Sequence, residues 1–308
     1  MFANSKRMKI RKFTFDDLPK LVKLLNETHK DSYEFTPYTE EDLGSWIRDE
    51  HLEILIAEEN GEFLGSTAYE DSHWGEEIVW LAVSKNANQK LVEDALVSEI
   101  EKYVKGEKVF TTVDADSPKI DEWKRRGYTP EGGLYHMVVD INGLKPLPEV
   151  PKGVILRSLR VGEEKKLVEA VNKSFGWERL KIGVINRWKK ENPPFNEDWV
   201  HVAEINSKIV SVVVSRPNKE YNEFYHAKRG YLGPAATLPE YRGKNLASAL
   251  TCRAMNFLFE KGMDSAALYT TEQNVASVAL LTKLGFRIGH YWKFLRKNIS
   301  HGKDCLKG

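Results

Sequence analysis

The sequence predicts an α/β chain, of the mixed-sheet α+β kind, built as two tandem domains. Three observations carry that expectation. Short apolar segments with strand periodicity alternate with helical stripes along the 308 residues. Three prolines and two glycines crowd Ile141–Gly153, the composition of a linker. Beyond that segment the chain starts over. Leu156-Arg157-Ser158-Leu159 repeats Ile10-Arg11-Lys12-Phe13, Lys166-Leu167-Val168 repeats Lys20-Leu21-Val22, and Val202-Ala203-Glu204 repeats Ile56-Ala57-Glu58. All three hold one offset of 146 positions (157 − 11), which marks duplicated domains and not solenoid units. The expected division is a first domain over 1–140, a linker over 141–153, a second domain over 154–297 and a polar tail over 298–308.

The first copy opens with the alternating strand Lys9–Phe15, followed by a helix that Asp16, Asp17 and Pro19 start and that Leu21, Val22, Leu24 and Leu25 face toward the core. Residues 31–51 read as irregular to helical. Leu52–Ala57 and Phe63–Ala68 form a hairpin about Asn60-Gly61. Then come a strand at Ile78–Val83, a helix at Gln89–Val104, a strand at Lys108–Val113, a short helix at Asp121–Arg126 and a last strand at Tyr135–Asp140.

In the second copy the informative stretch is Tyr231–Phe286, read as strand, turn, helix, strand and helix. Leu246, Leu250, Phe257 and Leu258 recur at helical spacing, so the turn Arg242-Gly243-Lys244-Asn245-Leu246-Ala247 stands at a helix start. A helix start leaves backbone N–H groups unpaired and carries partial positive charge. A glycine-containing turn can aim those groups at a phosphate, and Arg242 and Lys244 add full charges. Asn245 reads equally as a plain N-cap, and so does Asn274 before the second helix. The first copy offers Ser84-Lys85-Asn86-Ala87-Asn88-Gln89 at the same place, without a glycine, so its phosphate turn reads as decayed.

Arg242, Asn245 and Ala247, with the preceding Pro239-Glu240-Tyr241 and the later Asn274, Lys283, Gly285 and Phe286, resemble the cofactor-binding core of the GNAT superfamily of acyl-CoA-dependent N-acetyltransferases. The whole resembles the tandem two-domain form of that family. Asn245 stands where that family's central glycine is usual, and Leu281 where its tyrosine is usual. The resemblance implies two GNAT-like domains, each a mostly antiparallel mixed sheet with a splayed central strand pair. It implies acetyl-CoA as cosubstrate and a small-molecule or peptide amine as acceptor. Ala236, Thr237 and Leu238 would pair with the pantetheine amides. Arg242, Gly243, Lys244, Asn245, Leu246 and Ala247 would hold the diphosphate, and Asn274 would touch the cofactor. Gly233-Pro234 fits the bulge that splays the strand, or a proline tolerated at a sheet edge.

With Leu281 in the tyrosine position, Tyr269 and Tyr291 are the candidate acids and Glu272 or His290 the candidate base, each with a plain surface or packing role as the alternative. The acceptor site would be framed by residues 175–199 and 217–229. Trp177, Trp188, Phe195, Trp199, Tyr221, Phe224, Tyr225 and His226 could line it, or could serve as core and loop anchors. A non-catalytic CoA-binding sensor or interaction module is the rival function.

Composition limits the alternatives. With 46 basic and 45 acidic residues, the net charge of +1 gives no field for nucleic acid or a membrane surface. The longest apolar runs, such as Ile209–Val214, fall far short of a membrane span, and Met1–Ile10 lacks the apolar core of a signal peptide. Two cysteines make neither a disulfide framework nor a metal site, so the cytoplasm is the expected location. Gly243-Lys244 lacks the upstream glycine spacing and the following Ser/Thr of a Walker-type loop.

Overall fold

The computed structural model describes residues 8–72 and 74–300; the expected tail lies outside them from His301 onward. In order, the first half holds β1 (Lys9–Lys12), α1 (Leu18–His29), α2 (Glu40–Asp49), β2 (Glu53–Glu59), β3 (Glu62–Ser72), β4 (Gly75–Val83), α3 (Gln89–Ile100), β5 (Lys108–Asp114), α4 (Lys119–Arg125) and β6 (Thr129–Asp140). The second holds β7 (Ile155–Ser158), α5 (Glu164–Phe175), α6 (Val184–Glu191), β8 (Val200–Ile205), β9 (Lys208–Pro217), α7 (Lys219–Tyr225), β10 (Arg229–Thr237), α8 (Leu246–Glu260), β11 (Ser265–Thr271), α9 (Val275–Lys283) and β12 (Arg287–Asn298). Local chemistry explains many boundaries. Thr39 caps α2 by accepting from the Asp42 amide at 3.1 Å. Asn60 and Gly61, both at positive φ, turn β2 into β3. β6 begins at Thr129, earlier than expected, because Gly132-Gly133 continues as strand: a β-carbon on Gly133 would collide with the Tyr291 ring.

Contacts divide the chain into two compact units, one within Met1–Leu134 and Tyr291–Gly308, the other Tyr135–His290. In the first unit the strand order is β1-β2-β3-β4-β5-β12, and in the second β6-β11-β10-β9-β8-β7. The division does not fall at Ile141–Gly153. β12 pairs antiparallel with β5, from Trp292↔Asp114 to Asn298↔Lys108, and so completes the first unit although it is the last strand in sequence. The Pro-rich segment is docked within the second unit and is no free linker. Lys145 donates its amide to Asn256 Oδ1 (2.9 Å) and accepts from Asn256 Nδ2 (2.8 Å), and its Nζ reaches the Leu284 carbonyl at the end of α9 (3.3 Å).

Each unit has its own core. Leu55, Val92, Leu96, Trp123, Tyr128 and Leu295 belong to one cluster of the first unit, and a second cluster there forms around Leu21, Leu25 and Trp80. Val168, Trp199, Val212, Leu250, Met255 and Phe286 belong to the core of the second.

The duplication extends to a partly buried ion network. Arg11 holds Asp17 (2.7 Å) and Glu58 (3.0 Å). Arg157 holds Glu163 (2.7 Å) and Glu204, at the same 146-residue offset for every partner (157 − 11, 163 − 17, 204 − 58). Burial pushes the Glu163 carboxyl up, but the Arg157 guanidinium, the Arg160 amide and Lys166 outweigh it and hold the pKa at about 2. A depressed folded-state pKa gives stability that is present above the unfolded value and is lost as pH falls toward the folded one. Denaturant titrations should therefore show stability falling between pH about 4.5 and about 2. That loss should shrink in Glu163→Gln, and an unchanged acid limb would remove the assignment.

Candidate active site

The site grows from the place where β10 and β11 part. Their parallel pairing holds at Arg229↔Ser265, Gly230↔Ala266 and Tyr231↔Ala267. Beyond that, β10 bulges against β9, with a register shift between Leu232 and Ala235. The bulge is Gly233-Pro234, in which Gly233 takes φ +147 and a β-carbon would come within 3.3 Å of the Tyr231 ring. Proline has no N–H for a ladder, and left-handed backbone disfavours any side chain, so both residue types follow from the geometry.

Directions along the rest of β10 then refine the pantetheine assignment. Leu238 donates its amide to Val210 on β9 at 3.0 Å, and Ala236 accepts from Ser211 Oγ at 3.1 Å. Successive residues of a strand face opposite neighbours, so Thr237 and Ala235 present their backbone groups toward the opened gap. Of the three residues expected to pair with pantetheine, Thr237 alone faces that way. Ala235 is the neighbour that sequence reasoning passed over.

At the end of β10 the chain enters the turn. Gly243 takes φ +75 with open space where a β-carbon would stand, and Asn245 takes φ +58, ψ 8. Asn245 is therefore left-handed, as the glycine it replaces would be, and its side chain makes no cap bond to α8. The first α8 bond runs from the Ala249 amide to the Asn245 carbonyl (3.0 Å), so the amides of Leu246, Ala247 and Ser248 have no acceptor one turn back. Arg242 buttresses the turn: its Nε donates to the Thr237 carbonyl (3.2 Å) and its Nη2 to the Ser174 carbonyl (3.1 Å). Lys244 Nζ lies 5.0 Å from the centre of the Tyr241 ring. The result is a charged turn with donors pointing outward.

The first unit shows the contrast. Its β4–β5 parallel pairing also stops early, after Glu77↔Phe110 and Ile78↔Thr111. At the start of α3, however, the Ala87 amide bonds the Ser84 carbonyl (3.0 Å), and Asn88 Oδ1 accepts from the Leu91 amide (3.3 Å). The chain itself satisfies donors there, and no residue from Ser84 to Gln89 has positive φ.

The remaining sequence candidates scatter. Asn274 caps α9 by accepting from the Ser277 amide at 3.3 Å. Tyr269 is 46% exposed and stacks on His136 at 4.7 Å. Glu272 lies near Tyr135, whose hydroxyl is pushed up by burial and by that carboxylate. Tyr291 belongs to the first unit, where its carbonyl accepts from the Ala115 amide (3.0 Å). Leu281 is 3% exposed and sits in the apolar core with Leu246 and Phe286. Trp188, Phe195 and Trp199 are also core residues, so they line no open site. Trp177 is half-buried beside Phe175.

Tyr231 emerges from the structure. It is the last residue of β10 paired with β11, and its ring centre lies 6.1 Å from that of Tyr269. The ring thus stands beside the point where β10 and β11 part. Burial raises its pKa, and Arg216, Arg179 and the Tyr269 backbone counter it only in part, so the phenol keeps its proton at neutral pH. Among the described residues no cluster of three His, Cys, Asp or Glu side chains can hold a metal, and no helix is long and apolar enough to cross a membrane.

Comparison with known proteins matches this geometry. Residues 165–286 match the family model described as Acetyltransferase (GNAT) family. A mycothiol acetyltransferase from Thermobispora bispora is 26% identical over 170 residues, 52% of this chain and 55% of that protein. The chain spans about half the length of the curated relatives it matches. A GCN5-related N-acetyltransferase structure from Sphaerobacter thermophilus superposes with TM-score 0.69 at 16% identity, covering 97% of this chain and 98% of that one. A tandem GNAT protein from the clavulanic acid biosynthesis pathway superposes with TM-score 0.66 at 13% identity, covering 95% and 98%. The two units have the GNAT-like fold of such tandem proteins, and the match to the GNAT acetyltransferase family model lies within the second unit, at residues 165–286.

Proposed function

We propose that the chain is an acetyl-CoA-dependent N-acetyltransferase, with its active site in the second unit and an amine, on a small molecule or a peptide, as acceptor. The observation that carries this reading is the joining of an opened parallel strand pair to a helix start with unsatisfied amides. The turn from Gly243 to Ala247 suits the diphosphate of CoA, and Ala235 and Thr237 suit the amides of its arm. The first unit is a degenerate copy, since it keeps the strand arrangement while closing its turn. Cys252, buried and free, fits a reducing cytoplasm.

Acetyl-CoA supplies a thioester carbon open to attack. An alkyl ammonium has a pKa of about 10, so the amine must first lose a proton to a base or to water. As its nitrogen bonds the carbonyl carbon, charge gathers on the oxygen, and strand amides freed at the bulge can stabilise it. The added nitrogen gives up its second proton to the same base or to water, the C–S bond breaks, and the leaving thiolate needs a proton. Tyr231, held neutral by burial, is the group that can give it.

Titration of the protein with acetyl-CoA tests the assignment. Gly243→Val puts a β-branched side chain at positive φ and should weaken binding at least tenfold. Asn245→Gly should stay within threefold of wild type, and so should Lys85→Ala in the first unit. Loss of binding in Lys85→Ala alone would move the site to the first unit. Tight binding with no transfer to any amine would favour a non-catalytic sensor.

A further inference from the structure

Four cations crowd the turn that begins at Arg242, and only one carboxylate answers them. Lys173, in the last turn of α5, and Lys208, the first residue of β9, share a single oxygen: Glu240 Oε1 lies 3.6 Å from one ammonium and 3.3 Å from the other. Lys208 and Lys244 share the ring of Tyr241, with Nζ 5.5 Å and 5.0 Å from its centre. Arg242 gives its donors to the Thr237 and Ser174 carbonyls, which carry no full charge. Among the described residues Glu240 is the only carboxylate paired with any of the four. In a chain with 46 basic and 45 acidic residues, this is a local concentration of positive charge.

The register shows which end of the site they serve. β9 runs antiparallel to β10, with Arg216 opposite Tyr231 and Ser211 opposite Thr237. Lys208 precedes Ser211 on β9, ~10 Å further on at ~3.3 Å per residue, so it lies past the end of β10 and away from the strand gap. With the arm of CoA in the gap and its diphosphate on the turn, the nucleotide leaves on the side of Lys208 and Lys173. The diphosphate already has the open amides of Leu246, Ala247 and Ser248. CoA carries a further phosphate, a monoester on its ribose, and such a group holds about −1.5 to −2 charges at neutral pH. Ammonium groups on flexible stems suit it as mobile point charges. Exposed ion pairs hold weakly in water, so Glu240 can keep both lysines near without neutralising them against a dianion.

We infer that Lys173 and Lys208, with Lys244 shared between them and the diphosphate, form a subsite for the ribose phosphate of CoA, Glu240 and Tyr241 holding the lysines in place. The inference rests on the acetyl-CoA reading of the turn and deepens it. It makes these lysines recognition residues that tell CoA from the same molecule lacking that phosphate, and it gives them no part in the transfer.

Titration of the whole chain with CoA and with 3′-dephospho-CoA, at one fixed ionic strength, tests it. CoA should bind about tenfold more tightly or better. In Lys173→Gln/Lys208→Gln that ratio should fall below about threefold, because CoA binds more weakly while 3′-dephospho-CoA binds as before. Lys173→Arg/Lys208→Arg, which keeps both charges, should preserve most of the ratio. A smaller ratio in the wild type, a ratio that survives the double glutamine substitution, or a fall that comes from tighter binding of 3′-dephospho-CoA would overturn the subsite. Each of those results still shows CoA bound and leaves the acetyl-CoA reading standing. Failure of the wild type to bind either form is a different result, and it removes that reading along with the subsite.

Discussion

Replacing Tyr231 with phenylalanine is expected to lower kcat by about a hundredfold or more, the usual range for a lost general acid. Acetyl-CoA affinity should stay within about threefold. The reasoning is geometric first. Leu281 is buried in the core, so the position of the family's usual tyrosine offers no proton to the gap. Tyr269 is half exposed and stacked on His136, whereas Tyr231 stands where β10 parts from β11 and is the more deeply buried of the two. Its raised pKa keeps the donor form populated, so the Tyr231-dependent part of the rate should be lost only as pH climbs through that raised value. Steady-state kinetics of wild type and Tyr231→Phe with one amine decide the matter. Equal turnover removes Tyr231 from the chemistry.

The second large effect concerns β12. Leu295 is fully buried among Val109, Trp123 and Tyr128, and Lys297 holds Glu101 at 2.7 Å. Phe294 meets Phe110 edge-on, with ring centres 5.6 Å apart. Leu295→Ala should cost about 2–5 kcal/mol, the range for emptying a core leucine site. The cost should appear in the first unit: amide exchange should lose protection in α3 and β5 before α8 and β9. Loss of protection confined to α8 and β9 would mean that β12 serves the second unit instead.

Much of the fold was legible because its signals are local. Asn60-Gly61 closes the hairpin it announces, and Leu246, Leu250 and Leu258 face the core as their spacing requires. The offset that relates Arg11 to Arg157 also relates their carboxylate partners. The turn was legible for the same reason, since Gly243 and Asn245 carry their backbone preferences with them. What escaped depends on neighbours distant in sequence. Nothing in the alternation of β12 tells whether it will pair with β5 or stay with the repeat that precedes it. Whether Leu238 gives its amide to β9 or to a ligand depends on the register of the bulge. Trp188, Phe195 and Trp199 have the composition of a binding wall and the burial of a core. Tyr231 was visible only as a strand residue until the register placed it where β10 parts from β11.

The antiparallel seam between Trp292–Asn298 and Lys108–Asp114 has a consequence for biosynthesis. A ribosome delivers the amino-terminal repeat first, yet that repeat lacks an outer strand until the codons of the downstream repeat have been read. Its nascent form must wait with the β5 edge uncovered while the second repeat emerges. Vectorial translation and structural completion therefore run in opposite order, and a stop codon just ahead of Arg287 injures the part of the molecule made earliest.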